Sequence, residues 1–94
     1  MIRSFADSRT EALWMRERVK GIDGRIQRTA LRKLAMLNAA TTLNDLRVPP
    51  GNRLESLKGD LAGKHSIRVN DRWRIVFTWR DGAALGVSIV DYHQ

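Results

Sequence analysis

The last third of the sequence holds the residues whose types fit chemistry on a phosphate ester. One row reads Asp91-Tyr92-His93, a carboxylate, a phenol and an imidazole that follow an apolar, strand-like run. Desolvating such groups costs free energy unless partners offset it, so their position indicates a use. Histidine suits proton transfer near neutral pH, because its ordinary pKa is about 6.5. The row is therefore a candidate for general acid–base catalysis.

Three cations lie where a sheet can bring them near this row. Arg68 and Arg74 occupy the faces of two predicted strands opposite the apolar residues, and cross-strand neighbours lie within about 5–8 Å. Lys58 stands at a predicted strand end beside a glycine. A solvent-facing arginine or a strand-end lysine is ordinary when taken alone. Together the three predict a cationic cleft that stabilises developing negative charge.

The sequence points away from metals and cofactors. It has no cysteine and two histidines, His65 and His93, and it shows neither a carboxylate cluster nor a glycine-rich phosphate loop. Cleavage of a phosphodiester is therefore predicted to need no metal and no cofactor. RNA makes this feasible because its 2′-OH is an internal nucleophile that needs only orientation and proton transfer. Whether Asp91 or His93 takes that proton stays open at this point.

Composition restricts the class of protein. The 94 residues carry a net charge of +7, and 43% of them are hydrophobic, which predicts one small domain over residues 1–94. A basic balance of this size is typical of a binder of polyanions, most often nucleic acid. No apolar run suits a signal peptide or a membrane span, so a cytoplasmic protein without a membrane partner is expected.

The front half of the sequence predicts a strand and two helices. Residues 2–5 form a strand, and Ser8-x-x-Glu11 is a candidate capping box for a helix that runs to about Val19. The second helix starts at Asp23 or Gly24 and carries an apolar stripe. The residues of that stripe are Ile26, Ala30, Leu34 and Leu37. Four cations lie off the stripe and are expected on a solvated face, namely Arg25, Arg28, Arg32 and Lys33.

The back half predicts four strands after the break at Pro49-Pro50-Gly51-Asn52. They cover residues 54–57, 65–69, 73–80 and 85–92, with turns at Asn70-Asp71 and Asp81-Gly82. The order β-α-α-β-β-β-β predicts an α+β fold, a mostly antiparallel sheet with both N-terminal helices packed on one face. The three tryptophans, Trp14, Trp73 and Trp79, are expected in the core rather than as stacking platforms for bases.

Once these motifs are read together, the sequence resembles the HigB-like toxins of the RelE superfamily. The segments that carry the resemblance are NRLESLKGDLAGKHSIRVNDRWRIVF and VSIVDYH, with support from MIRSF, RKLAMLNAAT and PPGNRLE. It covers essentially the whole chain. Two departures occur: Arg72 stands before Trp73 where an uncharged polar residue is expected, and Gln94 follows the histidine.

The resemblance implies a microbial-RNase-like α+β domain that acts as the toxin of a type II toxin–antitoxin system. Such a toxin enters the A site of the 30S subunit and cuts messenger RNA in a ribosome-dependent, metal-independent reaction. Its implied partners are the ribosome, mRNA and a HigA-like helix-turn-helix antitoxin, with operator DNA reached only through the antitoxin. The implied catalytic residues are Lys58, Arg68, Arg74, Asp91, Tyr92 and His93. Contact with RNA or the ribosome is expected from Lys58, Arg68, Arg72 and Arg74.

Other classes share parts of this pattern. A non-catalytic RNA- or DNA-binding module would have the basic charge and the sheet but would not need the acid–base row. An attenuated toxin homologue would keep the motifs without full activity. A protein that only binds other proteins would be indifferent to loss of the arginines.

Overall fold

The computed structural model describes residues 1–92 and shows an α+β architecture. Within that range there are two α-helices and four strands joined by short 3-10 turns. The helices are α1 (Ser8–Trp14) and α2 (Gly24–Ala39), and the strands are β1 (Glu55–Ser56), β2 (Lys64–Arg68), β3 (Trp73–Arg80) and β4 (Ala83–Asp91). The 3-10 turns cover Leu43–Arg47, Pro50–Asn52 and Gly59–Leu61.

The four strands form an antiparallel sheet in the order β1-β2-β3-β4. The predicted N-terminal strand is present only as two isolated parallel bridges, Ile2 to Ala84 and Phe5 to Val87. Strand β1 has two residues rather than the predicted four. The sheet is thus mostly antiparallel, as predicted, and its N-terminal and β1 strands are shorter than expected.

Both helices and one face of the sheet enclose the core. Three residues of the predicted stripe, Ala30, Leu34 and Leu37, are fully buried against strand residues such as Ile75 and Phe77. Trp73 belongs to this core, and Trp14 and Trp79 pack against it while half-buried. The sequence-based assignment of the stripe is therefore confirmed, and within residues 1–92 both α-helices pack on this face of the sheet and not on the opposite one.

Helix α1 is shorter than predicted, and its capping residue is different. The side chain of Asp7, not of Ser8, accepts a hydrogen bond from the backbone N–H of Thr10 at 2.7 Å. The helix ends at Trp14 rather than near Val19 because the chain reverses at Arg16, whose φ of 65° is left-handed. A carboxylate is as good an N-cap as a hydroxyl. The sequence pattern alone therefore did not show whether Asp7 or Ser8 caps the helix.

Both predicted hairpin turns are present. Asp81 and Gly82 have φ angles of 52° and 74°, the pair of positive values that a two-residue type I′ turn requires. In the β2–β3 turn the side chain of Asn70 accepts hydrogen bonds from the backbone N–H groups of Arg72 and Trp73 at 2.9 and 2.7 Å. This capped turn fixes the register in which Arg68 faces Arg74.

One of the four cations expected on the solvated face of α2 is buried. Lys33 is only 6% exposed, and its ammonium group donates to Oδ1 of Asn52 at 2.5 Å. Arg25, Arg28 and Arg32 are exposed as predicted. The prediction failed for Lys33 because helical periodicity does not show that the residues after the helix fold back over it. Along residues 1–92, no helix has the length and apolar character needed to cross a membrane.

Candidate active site

A basic groove of about 310 Å³ lies on the face of the sheet that the helices leave uncovered. Three of its residues were predicted from the sequence, namely Arg68, Arg74 and Tyr92. Strand alternation explains their common face, because Arg68 and Arg74 are direct partners in the β2–β3 register and Tyr92 follows β4 next to them. The complete lining is Arg53, Arg68, Asn70, Asp71, Arg74 and Tyr92.

Arg74 is the most firmly held cation of the groove. It is 8% exposed; its Nε donates to Oγ of Ser66 at 2.8 Å, and its Nη2 donates to the backbone carbonyl of Arg53 at 2.7 Å. Burial lowers the pKa of Arg74; Glu55 and Tyr92 oppose the shift, and the charges of Arg68 and Arg53 add to it. Arginine nevertheless stays protonated. Arg74 therefore presents a fixed, partly desolvated charge.

Tyr92 forms one wall of the groove. The guanidinium carbon of Arg74 lies 5.6 Å from the centroid of the Tyr92 ring, within range of a cation–π interaction. The backbone N–H of Tyr92 donates to the carbonyl of Arg72, which ties the end of β4 to the β2–β3 turn. The phenol is thus placed beside the cations rather than in the core.

Arg68 is more exposed than Arg74 and has a labile partner. Its guanidinium pairs with the carboxylate of Asp71, and the two side chains are 32% and 99% exposed. An ion pair that is so exposed to solvent contributes little to the free energy of unfolding. A phosphate oxygen entering the groove can therefore replace Asp71 as the partner of Arg68, whereas Arg74 keeps its protein partners.

Asp91 is not among the residues that line the basic groove. Nε and Nη2 of Arg72 lie 2.8 and 2.7 Å from Oδ2 of Asp91, and the hydrogen bond from Arg72 to Asp91 raises the pKa of Arg72. The same guanidinium lies 5.5 Å from the Trp73 ring centroid. Asp91 and Arg72, predicted for proton transfer and for RNA contact, thus form an ion pair next to the groove.

One other predicted site residue, Lys58, does not line the groove. Lys58 is exposed and precedes the 3-10 turn Gly59–Leu61. His93 lies outside the described residues. A second, more apolar groove of about 380 Å³ shares Tyr92 with the basic one. Its apolar side chains include Leu61, Val76 and Val90.

The sequence reading missed three residues of the lining. Asn70 and Asp71 were recognised only as a turn, although any turn between the strands of Arg68 and Arg74 must lie beside both arginines. Arg53 follows the predicted break and has a left-handed φ of 45°. No local pattern predicts that its carbonyl meets Arg74, because the two residues come together only through the tertiary fold.

The assembled groove is suited to an anion with several oxygens. Arg53, Arg68 and Arg74 all line this groove, and arginine binds phosphate through paired N–H donors. Within residues 1–92, no group of three or more His, Cys, Asp or Glu side chains is placed to hold a metal ion. What the geometry offers is charge stabilisation by arginines next to a phenol.

Comparison with known proteins places these features in a family. The family model described as the RelE-like toxin of the type II toxin–antitoxin system HigB matches residues 3–93. The Toxin HigB-1 of Vibrio cholerae is 48% identical over 73 residues, which are 78% of this chain and 76% of the relative. The Endoribonuclease HigB of Proteus vulgaris is 30% identical over 93 residues, which are 99% of this chain and 100% of the relative.

Solved structures show the same fold at lower identity. A YoeB–YefM complex from Staphylococcus aureus contains a chain with a TM-score of 0.62 and 18% identity, and the match covers 100% of this chain and 99% of that one. YafQ from E. coli gives a TM-score of 0.55 at 11% identity, with coverage of 97% and 93%. These two likenesses support the fold of the chain.

Proposed function

Since the chain belongs to the family of RelE-like HigB toxins of type II toxin–antitoxin systems, we propose that it is an endoribonuclease that cleaves messenger RNA on the ribosome. The observation that carries the proposal is the meeting of Arg53, Arg68 and Arg74 with Tyr92 around one groove. A relative that is matched over its whole length carries the name endoribonuclease. The net charge of +7 suits a polyanionic substrate.

In the proposed reaction the 2′-OH of RNA attacks the adjacent phosphorus. The new O–P bond forms as the bond to the 5′-oxygen breaks, so the products are a 2′,3′-cyclic phosphate and a 5′-hydroxyl. Arg74 binds a non-bridging oxygen of the phosphorane, and Arg68 contributes a second charge after releasing Asp71. Both arginines stabilise negative charge that develops in the transition state. Hydrogen-bond donors accelerate a reaction only when they bind the transition state more tightly than the substrate.

Proton transfer in this proposal involves the row at the end of β4. Tyr92 orients the nucleotide or shares in proton transfer, since its phenol stands beside Arg74. His93 is proposed to exchange protons with the 2′-OH or the leaving oxygen. Asp91 is the weaker candidate for the base, because it is already paired with Arg72 and a carboxylate in an ion pair is a poorer proton acceptor.

The proposed partners follow from the family and the charge. A type II toxin is neutralised by a protein antitoxin, and here a HigA-like helix-turn-helix protein is proposed. The ribosome is proposed to supply the remaining orientation of the mRNA in the 30S A site. Lys58 and Arg68 are proposed to contact RNA, and the action on ribosomes implies a cytoplasmic site of action.

The test is cleavage of mRNA on programmed ribosomes by purified protein. Wild type is expected to cut within the reading frame, in the presence of chelator, and to leave the cyclic phosphate and the 5′-hydroxyl. A 2′-deoxy nucleotide at the scissile position should prevent cutting. Expression in bacteria should arrest growth, and co-expression of the neighbouring antitoxin gene should restore it.

Three results would contradict the proposal. A 5′-phosphate product would rule out attack by the 2′-OH. Efficient cutting of free RNA would rule out dependence on the ribosome. Tight ribosome binding without any cleavage would identify a binding module or an attenuated toxin instead of an active nuclease.

A further inference from the structure

Lys33 is a buried ammonium group that the proposed reaction does not use. It lies on α2 and is 6% exposed, and its Nζ donates to Oδ1 of Asn52 at 2.5 Å. Burial lowers the pKa of Lys33, and the charges of Arg32 and Arg68 lower it further. Buried lysines are rare in proteins because desolvating the charge is costly. A methionine would fill a similar volume without that cost, so the ammonium has a specific task.

Asn52 connects Lys33 to the chain that approaches the groove. Asn52 is completely buried, and its Nδ2 donates to the carbonyl of Leu46 at 3.1 Å and to that of Val48 at 3.4 Å. The side-chain amide of Asn52 thus links the 3-10 turn Pro50–Asn52 to the end of the preceding turn, Leu43–Arg47. Its oxygen accepts the hydrogen bond from Lys33. With all these contacts made, the position of Asn52 is fixed from both α2 and its own loop.

Arg53 comes directly after Asn52 and reaches the groove. Its left-handed φ of 45° turns the chain, and a non-glycine residue keeps this conformation only when its surroundings hold it. The carbonyl of Arg53 accepts from Nη2 of Arg74 at 2.7 Å. The contacts therefore run without interruption from Lys33 through Asn52 and Arg53 to Arg74.

We propose that Lys33 is a positioning residue that holds Arg74 in place for catalysis through Asn52 and the carbonyl of Arg53. The catalytic part of this proposal rests on the proposed nuclease function, whereas the positional part does not. Ser66, on the sheet, fixes Nε of Arg74. The carbonyl of Arg53, held in place by Lys33 and Asn52, fixes Nη2. The guanidinium plane is thus held at two of its nitrogens.

The first test measures the position of Arg74 without any RNA. The Nε–H proton of Arg74 gives a side-chain NMR signal whose exchange with water is slowed by its hydrogen bond to Ser66. Lys33→Met should speed this exchange by about tenfold or more, since a released loop opens locally. Arg32→Met removes the same charge from the neighbouring exposed residue and should leave the exchange unchanged.

The second test measures cleavage on programmed ribosomes. Lys33→Met should lower kcat about 10–100-fold with little change in KM, because a misplaced group costs rate more than ground-state binding. The loss should disappear in an Arg74→Lys background, where no guanidinium remains to be positioned. A residue that only stabilises the fold would give losses that multiply in the double variant.

The two tests separate the two proposals. If wild type does not cleave mRNA, the proposed function is wrong. The rate at which the Nε–H proton of Arg74 exchanges with water still tests whether Lys33 positions Arg74. If wild type cleaves and Lys33→Met leaves both the Arg74 exchange and kcat unchanged, the positioning role is wrong. Should Lys33→Met not fold, Asn52→Leu breaks the next link, because it removes the acceptor of Lys33 together with the donors to Leu46 and Val48. Unchanged Arg74 exchange in that variant would equally overturn the proposal.

Discussion

Arg68 and Arg74 are direct partners across β2 and β3, so two like charges stand opposite each other on one face of the sheet. Such a pair is unfavourable by itself. The repulsion is offset unequally: Arg74 donates hydrogen bonds to Ser66 and to the Arg53 carbonyl, whereas Arg68 pairs with the exposed carboxylate of Asp71. A phosphate bound between the two arginines would remove the remaining repulsion, so we expect this arrangement to favour anion binding over stability.

Arg74→Ala is expected to lower cleavage on programmed ribosomes by about 10²–10³-fold, the usual cost of losing one donor to a developing negative charge. The matched control is Arg80→Ala, which removes the same charge from an exposed position at the other end of β3. The control should cut at close to the wild-type rate. Equal losses in both variants would mean that net charge, and not the placement of Arg74, governs the reaction.

The two histidines provide a second comparison. Replacing His93 by alanine should slow cleavage by about 10²–10⁴-fold, the range for loss of a general acid or base, while ribosome affinity stays the same. His65→Gln is the control, because His65 lies on β2 beside Phe77 and Ser56. A wild-type rate in His93→Ala would show that another group transfers the proton.

Salt dependence should distinguish Arg68 from Arg72. The affinity for a non-cleavable, 2′-O-methylated RNA strand should fall as salt rises, through release of counterions. Arg68→Gln should reduce the slope of log affinity against log salt by about 0.7, the value for one lost contact to a single strand. Arg72→Gln should reduce it less, because Arg72 is already neutralised by Asp91. Fluorescence anisotropy at four salt concentrations measures both slopes, and a larger effect from Arg72 would contradict this assignment.

Asp45 should make stability depend on pH at the acid end. Hydrogen bonds to its carboxylate from the backbone N–H groups of Thr42 and Thr41 and from the Thr41 hydroxyl lower the pKa of Asp45 from 3.8 to about 2. Because the folded-state pKa lies below the unfolded one, the stabilisation is complete above about pH 4 and is lost as pH falls towards 2. Asp45→Asn should therefore melt at a lower temperature than wild type at pH 6, with a difference that shrinks by pH 2.

The exposed Asp60 supplies the control for that comparison, because Asp60→Asn removes a carboxylate from another 3-10 turn. Its melting temperature should follow that of wild type across the same pH range. A difference between Asp45→Asn and wild type that does not vary with pH would show that the Asp45 carboxylate does not titrate as its hydrogen bonds imply.

Features set by neighbouring residues were predictable from the sequence. The buried stripe of α2 and the Asp81-Gly82 turn depend on local spacing and local backbone preference. The shared face of Arg68 and Arg74 depends only on strand alternation and a short turn between them. The family resemblance supplied the fold as a whole, and the described sheet and helices agree with it.

Features set by distant residues were not predictable in this way. Lys33 is buried because Asn52, nineteen residues later, folds back over it. Asp91 is paired because strand pairing brings Arg72 beside it, also nineteen residues away in sequence. Lys33 and Asp91 both carry charged side chains of the kind usually found on a protein surface. Periodicity alone therefore assigns both to solvent. Only the complete fold shows which charges are neutralised and which remain available to a ligand.

The N-terminal segment also shields an edge of the sheet. Residues 1–6 exchange backbone hydrogen bonds of 2.9–3.0 Å with Ala84 and Val87 on β4, while the opposite edge is limited to the two residues of β1. An unpaired edge strand is a template on which another chain can add. Without this segment, the apolar β4 would offer its free N–H and C=O groups to neighbouring molecules. Removal of the first six residues is therefore expected to favour association of copies of the chain through the uncovered edge of β4.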